Sequence, residues 1–228
     1  MVAVVLHGPV WFFLLDAVLG FLGMAAAIVI VLLSAKALSL LQERKYLYFS
    51  LAYALIGFGL LIRAITNVLV FFVTPHIRQI VDLQHDRGTF FYFGYGSFIV
   101  CSVLGYVLLA VSTMKSREPR ITLLLTLLVL LLLGISSSYF LSFYLSSAIL
   151  LGFITYHVGV NFFQRKSFTA FAVFTSFFLQ FTAQIGFLLE VTDQLFYYIA
   201  NSALLGGYII LLFTLAHLLF KTHEHPKK

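Results

Sequence analysis

Charge is what this sequence has least of. Only 10% of its 228 residues are Asp, Glu, Lys or Arg, against about 25% in a soluble domain. Hydrophobic residues make up 62%, and the mean hydropathy is +1.06. So little charge cannot cover a water-facing surface, and the class this implies is an integral membrane protein. Cysteine is nearly absent. Cys101 is the only one, which excludes an intrachain disulfide and a cysteine-based metal cluster. The four prolines, Pro9, Pro75, Pro119 and Pro226, fall at the ends of apolar runs or in the tail. No predicted span therefore carries a proline kink. Glycine-rich phosphate loops, His-Glu-x-x-His, nucleophile elbows and paired mid-membrane carboxylates are all missing. These gaps make an enzyme the least favoured class. No catalytic residue, metal or cofactor is assigned.

What is present is a series of long apolar runs. Spans of ~20 residues are expected at about 10–33, 46–73, 90–114, 121–136, 139–163, 168–190 and 195–220. The run 121–163 is too long for one helix and should break at Ser136-Ser137-Ser138. The expected fold is all-α, a single seven-helix transmembrane bundle over residues 1–228. No Lys or Arg precedes the first run, so it reads as a retained span rather than a cleaved signal peptide.

The basic residues are distributed unevenly. Lys36, Arg44 and Lys45 fall in the first loop, Lys115, Arg117 and Arg120 in the third, Arg165 and Lys166 in the fifth, and Lys221, Lys227 and Lys228 in the tail. The alternate loops hold only Arg78 and Arg87. This asymmetry predicts a cell-membrane protein with its N-terminus outside and its C-terminus in the cytoplasm. The net charge of +6 is then an orientation signal and not a nucleic-acid footprint.

A faint repeat is visible. Gln42-Glu43-Arg44-Lys45-Tyr46 opens span two much as Phe163-Gln164-Arg165-Lys166-Ser167 opens span six, which sets Arg63 opposite Gln184. Tyr95, Ile99, Ser102 and Tyr106 share a face of span three, and Tyr197, Asn201, Leu204 and Tyr208 share one of span seven. Both a 3+1+3 duplication and chance agreement in a restricted alphabet account for this.

Arg63 is the sharpest signal. A charge at mid-span costs about 2.5–3.5 kcal/mol to insert, so it faces the bundle interior and finds a partner. Its own face carries Gly59 and Asn67. Asp16 lies in the same outer half on span one and shares a face with Gly20. An Asp16–Arg63 ion pair is expected, either as a structural pin or as a ligand contact. Tyr95 and Ser102 on span three, Gln180 and Gln184 on span six, and Tyr197 and Asn201 on span seven lie at matching depth. The candidate ligand-binding set is therefore Arg63, Asp16, Asn67, Tyr95, Ser102, Gln180, Gln184, Tyr197 and Asn201. It would line an outward-opening polar cavity bounded by spans one, two, three, six and seven.

Other polar groups read more plainly. His157, Asn161 and His217 offer no second facing pair for a haem and read as packing or interfacial residues. Residues 75–88 are expected to form a short helix on the outer surface, with Thr74 capping, Pro75 in its first position and Gly88 closing it. Asp82, His85 and Asp86 within it match no metal motif and read as a solvated face.

The seven-span layout resembles that of microbial rhodopsins. Where their retinal lysine would sit, this chain reads Leu204-Leu205-Gly206-Gly207-Tyr208, and the nearby Lys221 lies past the helix end. A retinal Schiff base is excluded. The layout is also similar to that of 3+1+3 sugar-efflux transporters, whose Pro-Gln pair and intramembrane prolines are missing here. The stretch Arg44-Lys45-Tyr46-Leu47-Tyr48-Phe49-Ser50-Leu51-Ala52, followed by Arg63, resembles prokaryotic seven-helix membrane sensor regions. That resemblance implies a sensor or receptor-like protein with an outward pocket around Arg63. The chain ends about eight residues past span seven, so output is expected through a cytoplasmic partner or a homo-oligomer. The expected ligand is small and anionic or lipidic, since Arg63 attracts a carboxylate or phosphate. The alternatives are a small-solute transporter and an accessory subunit of a larger membrane complex.

Overall fold

The structure, a computed structural model, describes residues 11–76, 84–113, 125–127, 129, 139–190, 192–193 and 195–224. These are almost entirely helical. The long helices are α1 (Trp11–Leu41), α2 (Arg44–His76), α3 (Gln84–Thr113), α5 (Tyr139–Arg165), α6 (Phe168–Leu189) and α7 (Leu195–Glu224). Between α3 and α5, residues 125–127 and 129 belong to a further helix, α4. Six helices among the described residues are long and apolar enough to cross a membrane. The chain is a multi-pass integral membrane protein. In hydrocarbon every backbone N–H and C=O must be satisfied within its own segment, and a continuous helix does this.

Several boundaries move from those expected. Helix α1 continues to Leu41, so Lys36 sits on its last turns and not in a loop. Helix α2 runs through Thr74 and Pro75 to His76, and α3 already begins at Gln84 with Gly88 inside it. Of the expected surface helix over 75–88, residues 75–76 end α2 and 84–88 open α3, and 77–83 lie outside the described residues. Pro75 has no N–H to give the carbonyl four residues back, and α2 ends one residue after it. Asp82 and the Ser136–Ser138 turn lie outside the described residues.

Helix packing makes a ring. α1 packs on α2, α2 on α3, α3 on α5, α5 on α6, α6 on α7, and α7 back on α1. Helices α2 and α6 do not approach each other at backbone level. They face each other across the centre, which side chains fill. Tyr53, Tyr106, Phe143, Phe177 and Tyr208 form much of this core, and Val129 of α4 joins it. Glycine permits the closest approaches. A Cβ on Gly105 would meet the Ala52 carbonyl oxygen at 2.8 Å, which draws α3 onto α2. A Cβ on Gly207 would meet the Ser176 carbonyl oxygen at 2.9 Å, which draws α7 onto α6. Packing of this kind substitutes for the hydrophobic effect, since lipid is as apolar as the helix surface.

Two tight corners match. At α1–α2, Gln42 adopts φ 54° and its N–H donates to the Leu38 carbonyl at 2.9 Å. At α5–α6, Lys166 adopts φ 46° and its N–H donates to the Phe162 carbonyl at 2.8 Å. Each is a left-handed helix stop, followed by one residue before the next helix. Ser167 then caps α6 by accepting from the Ala170 N–H at 3.2 Å. The corners pair Gln42 with Lys166, where the sequence register paired it with Phe163.

Candidate functional site

The polar centre begins on α2. An arginine seven residues past Ile56 shares its inward face, and Ile56 is buried. Arg63 keeps only 11% of its side chain exposed and Asp16 only 6%. Asp16 reaches across from α1 as expected. Arg63 Nε donates to Asp16 Oδ2 at 2.9 Å and Nη2 to Oδ1 at 2.5 Å, a side-on pair. Asn67 Nδ2, one helical turn past Arg63, donates to Oδ2. The Tyr197 hydroxyl on α7 donates to Oδ1 at 2.5 Å. Tyr95 on α3 donates in turn to Asn67 Oδ1 at 2.8 Å.

Each carboxylate oxygen of Asp16 therefore accepts two hydrogen bonds, which is its full capacity. One carboxylate ties α1 to α2 and α7, and α3 joins through Asn67. The Arg63 guanidinium also lies 5.1 Å from the Phe98 ring centroid and 5.9 Å from that of Tyr95. Cation–π attraction of this kind favours a desolvated guanidinium.

Beside Arg63 is a cavity of ≈ 20 Å³ open to a water-sized sphere. Its wall comes from α2 (Ile56, Leu60, Arg63), α3 (Phe98, Ser102, Tyr106), α5 (Phe143, Tyr144), α6 (Gln184, Phe187) and α7 (Leu204, Tyr208). The sequence reading placed α1 in this wall. Instead α1 packs outside, against α2 and α7, and α5 lines the cavity. Two wall atoms find no protein partner although both are buried: Ser102 Oγ and Gln184 Oε1. These side chains are 1% and 2% exposed. The other end of the Gln184 amide, Nε2, makes a long contact of 3.5 Å with the Tyr106 hydroxyl, and Tyr106 is hydrogen-bonded to Tyr208.

Gln180 belongs to a separate cluster one turn away. Its Nε2 donates to the Tyr53 hydroxyl at 3.2 Å and contacts Ser176 Oγ at 3.3 Å. Ser176 donates to the Gly207 carbonyl at 2.8 Å. This cluster bridges α2, α6 and α7 across the centre. Asn201 Nδ2 donates to the Tyr197 carbonyl one turn back on its own helix, at 2.9 Å.

The nine residues singled out from the sequence thus divide. Asp16, Arg63, Asn67, Tyr95 and Tyr197 form one network. Ser102 and Gln184 face the cavity with Arg63. Gln180 and Asn201 bond elsewhere. Sequence reading missed Tyr53, Tyr144 and Ser176. Each lies within an apolar or aromatic run where nothing separates a core tyrosine or serine from a wall residue. His157 packs against Phe153 with ring centroids 4.3 Å apart. Among the described residues, no group of His, Cys, Asp and Glu is placed to hold a metal ion.

No family model, curated protein or solved structure matches this chain.

Proposed function

We propose that this protein is a membrane sensor or receptor-like binding protein. Its ligand site is the central cavity beside Arg63, where the α1–α3 and α5–α7 units face each other. In this reading the N-terminus lies outside and the tail in the cytoplasm, as the loop charges suggest. One observation carries the proposal. Ser102 Oγ on α3 and Gln184 Oε1 on α6 are buried, unpartnered among protein groups, and set on opposite units around one cavity. A buried polar atom left without a partner costs about 1–3 kcal/mol. A molecule that satisfies both offsets that cost and links the two units. Ligand occupancy then biases how the units sit against each other, which is what a sensor transmits.

Transport is the competing reading. It draws less support because the long described helices are continuous, whereas the binding sites of many secondary transporters are built on broken helices. The two separate in a pair of measurements on purified protein in lipid nanodiscs and proteoliposomes. The probes are one- to three-carbon alcohols, amides and carboxylates. A receptor shows a rise in unfolding temperature with at least one probe and no protein-dependent uptake of it. Protein-dependent uptake favours the transporter. No shift with any probe removes the ligand-site reading.

A further inference from the structure

We infer that the cavity takes a neutral, hydroxyl-bearing molecule, of which water is the smallest, and not an anion. This rests on the reading of the cavity as a ligand site, and it names the chemistry of the occupant. It departs from the simplest expectation for a buried arginine, which is a carboxylate or phosphate ligand.

Three observations lead here. The first is that the charge of Arg63 is already answered. Its Nε and Nη2 go to Asp16, whose two oxygens also accept from Asn67 and Tyr197, so its charge is balanced, and the N–H donors that remain can serve a neutral oxygen. An anion entering beside Arg63 would add a second negative charge near Asp16 in a low-dielectric interior, where like charges repel strongly.

The second is the kind of group left over. Gln184 Oε1 can only accept a hydrogen bond, so the occupant must donate. Ser102 Oγ can donate or accept. A hydroxyl has both capacities, since it can donate to Gln184 and accept from Ser102. A carboxylate has no proton to offer Gln184.

The third is size and wall chemistry. A volume of ≈ 20 Å³ holds about one water by the usual measure. Methanol, the smallest alcohol, is the organic hydroxyl that asks least movement of the wall. Beside Arg63 and three tyrosines, the wall includes the apolar Leu60, Phe98 and Phe143, which suit a methyl group. A well-ordered water gives way readily only to a group that reproduces its hydrogen bonds, and an alcohol does so.

The test uses the full chain in lipid bilayers. Water-edited solid-state NMR on glutamine side-chain labelled protein reads transfer from water to the Gln184 amide, and Gln184→Met assigns the signal by removing it. Unfolding temperature is then followed with methanol and with formate, on wild type and on Ser102→Val. The valine methyl fills space and removes the hydroxyl. Gln184→Met, close in volume, serves the same purpose should Ser102→Val fail to fold.

The expected result is rapid water transfer to Gln184, displacement of that water by methanol, and no specific effect of formate. Both variants weaken the methanol effect by about tenfold, as for one lost buried hydrogen bond. Stabilisation by formate that needs Ser102 would overturn the neutral-ligand inference while leaving the ligand site standing. It would also show the Gln184 amide turned to present its NH₂. Water transfer that neither probe displaces would uphold the neutral, hydrated site and remove the receptor reading. No water transfer and no probe effect would remove both.

Discussion

Asp16 and Arg63 meet side-on in the centre of the bundle, with Nε–Oδ2 at 2.9 Å and Nη2–Oδ1 at 2.5 Å. The geometry makes Asp16 the junction of four helices, since Asn67 and Tyr197 complete its shell and Tyr95 holds Asn67. A pair in which the carboxylate is saturated in this way fixes α1 against α2 and α7.

Breaking the pair from one side is therefore expected to cost far more than removing it whole. Asp16→Asn leaves a buried guanidinium without its counter-charge, and Arg63→Met leaves a buried carboxylate. Each should destabilise the fold by about 3–5 kcal/mol. The double variant Asp16→Leu/Arg63→Met carries no buried charge and should recover most of that loss. Reversible unfolding in mixed micelles, run as a double-mutant cycle, reads the coupling directly. Losses that simply add would mean the two residues act independently, against the geometry.

Much of this arrangement is legible in the sequence. Arg63 and Asp16 stood out because charge is rare here, and rarity combined with helical spacing is informative in a membrane. The spans were found for the same reason. The cavity wall is harder to read. Phe143 and Tyr144 belong to α5, whose inward face is chosen by packing, and apolar runs do not say which face turns inward when lipid accepts any of them. The helices also run beyond the apolar runs, α1 to Leu41 and α3 from Gln84, because backbone hydrogen bonding outlasts hydropathy by several residues. The two tight corners are hidden for a related reason: the left-handed residue is Gln42 or Lys166, where glycine would announce the turn.

The close helix contacts predict a contrast among glycines. Gly105→Ala places a methyl 2.8 Å from the Ala52 carbonyl oxygen and 2.6 Å from Ile56 Cγ1. Gly207→Ala places one 2.9 Å from the Ser176 carbonyl oxygen. Backbone stands in the way at both, so α3 must withdraw from α2, or α7 from α6, at about 1–3 kcal/mol. Gly96 has nothing within 4 Å of the same position. Gly96→Ala should be neutral or stabilise by up to about 1 kcal/mol through helix propensity. Unfolding temperatures of the three variants should rank accordingly, and a loss at Gly96 equal to that at Gly105 would contradict the packing argument.

The corners make a second backbone prediction. Gln42 and Lys166 hold left-handed conformations that cost a side-chain-bearing residue about 1 kcal/mol or more. Glycine adopts them freely but loses more entropy on folding. Gln42→Gly and Lys166→Gly should each be neutral to stabilising, by up to about 1 kcal/mol. Gln42→Val and Lys166→Val should destabilise, because a β-branched residue tolerates this region least. Equal effects of glycine and valine, measured by unfolding temperature, would show that the corner conformation exerts no control.

Glu190 sets a pH dependence. It caps the C-terminal end of α6 and is half-buried. Burial pushes its carboxyl above the ordinary 4.5, Arg63 pulls it back down, and Asp16 pushes it up. The negative end of the α6 dipole acts in the same direction as burial. A carboxyl whose folded pKa lies above its unfolded one binds its proton more tightly in the folded state. Its favourable contribution is full below the unfolded pKa, about 4.3, and is lost as pH rises through the raised folded value. Stability of the wild type should therefore fall with rising pH across that window by more than that of Glu190→Gln, which carries no titrating group there. The variant should gain on the wild type near pH 7 and not near pH 4. Unfolding temperature measured for both proteins in one detergent across that range gives the comparison. Parallel curves would show that Glu190 titrates as an ordinary surface carboxylate and that α6 ends in solvent rather than against the polar centre.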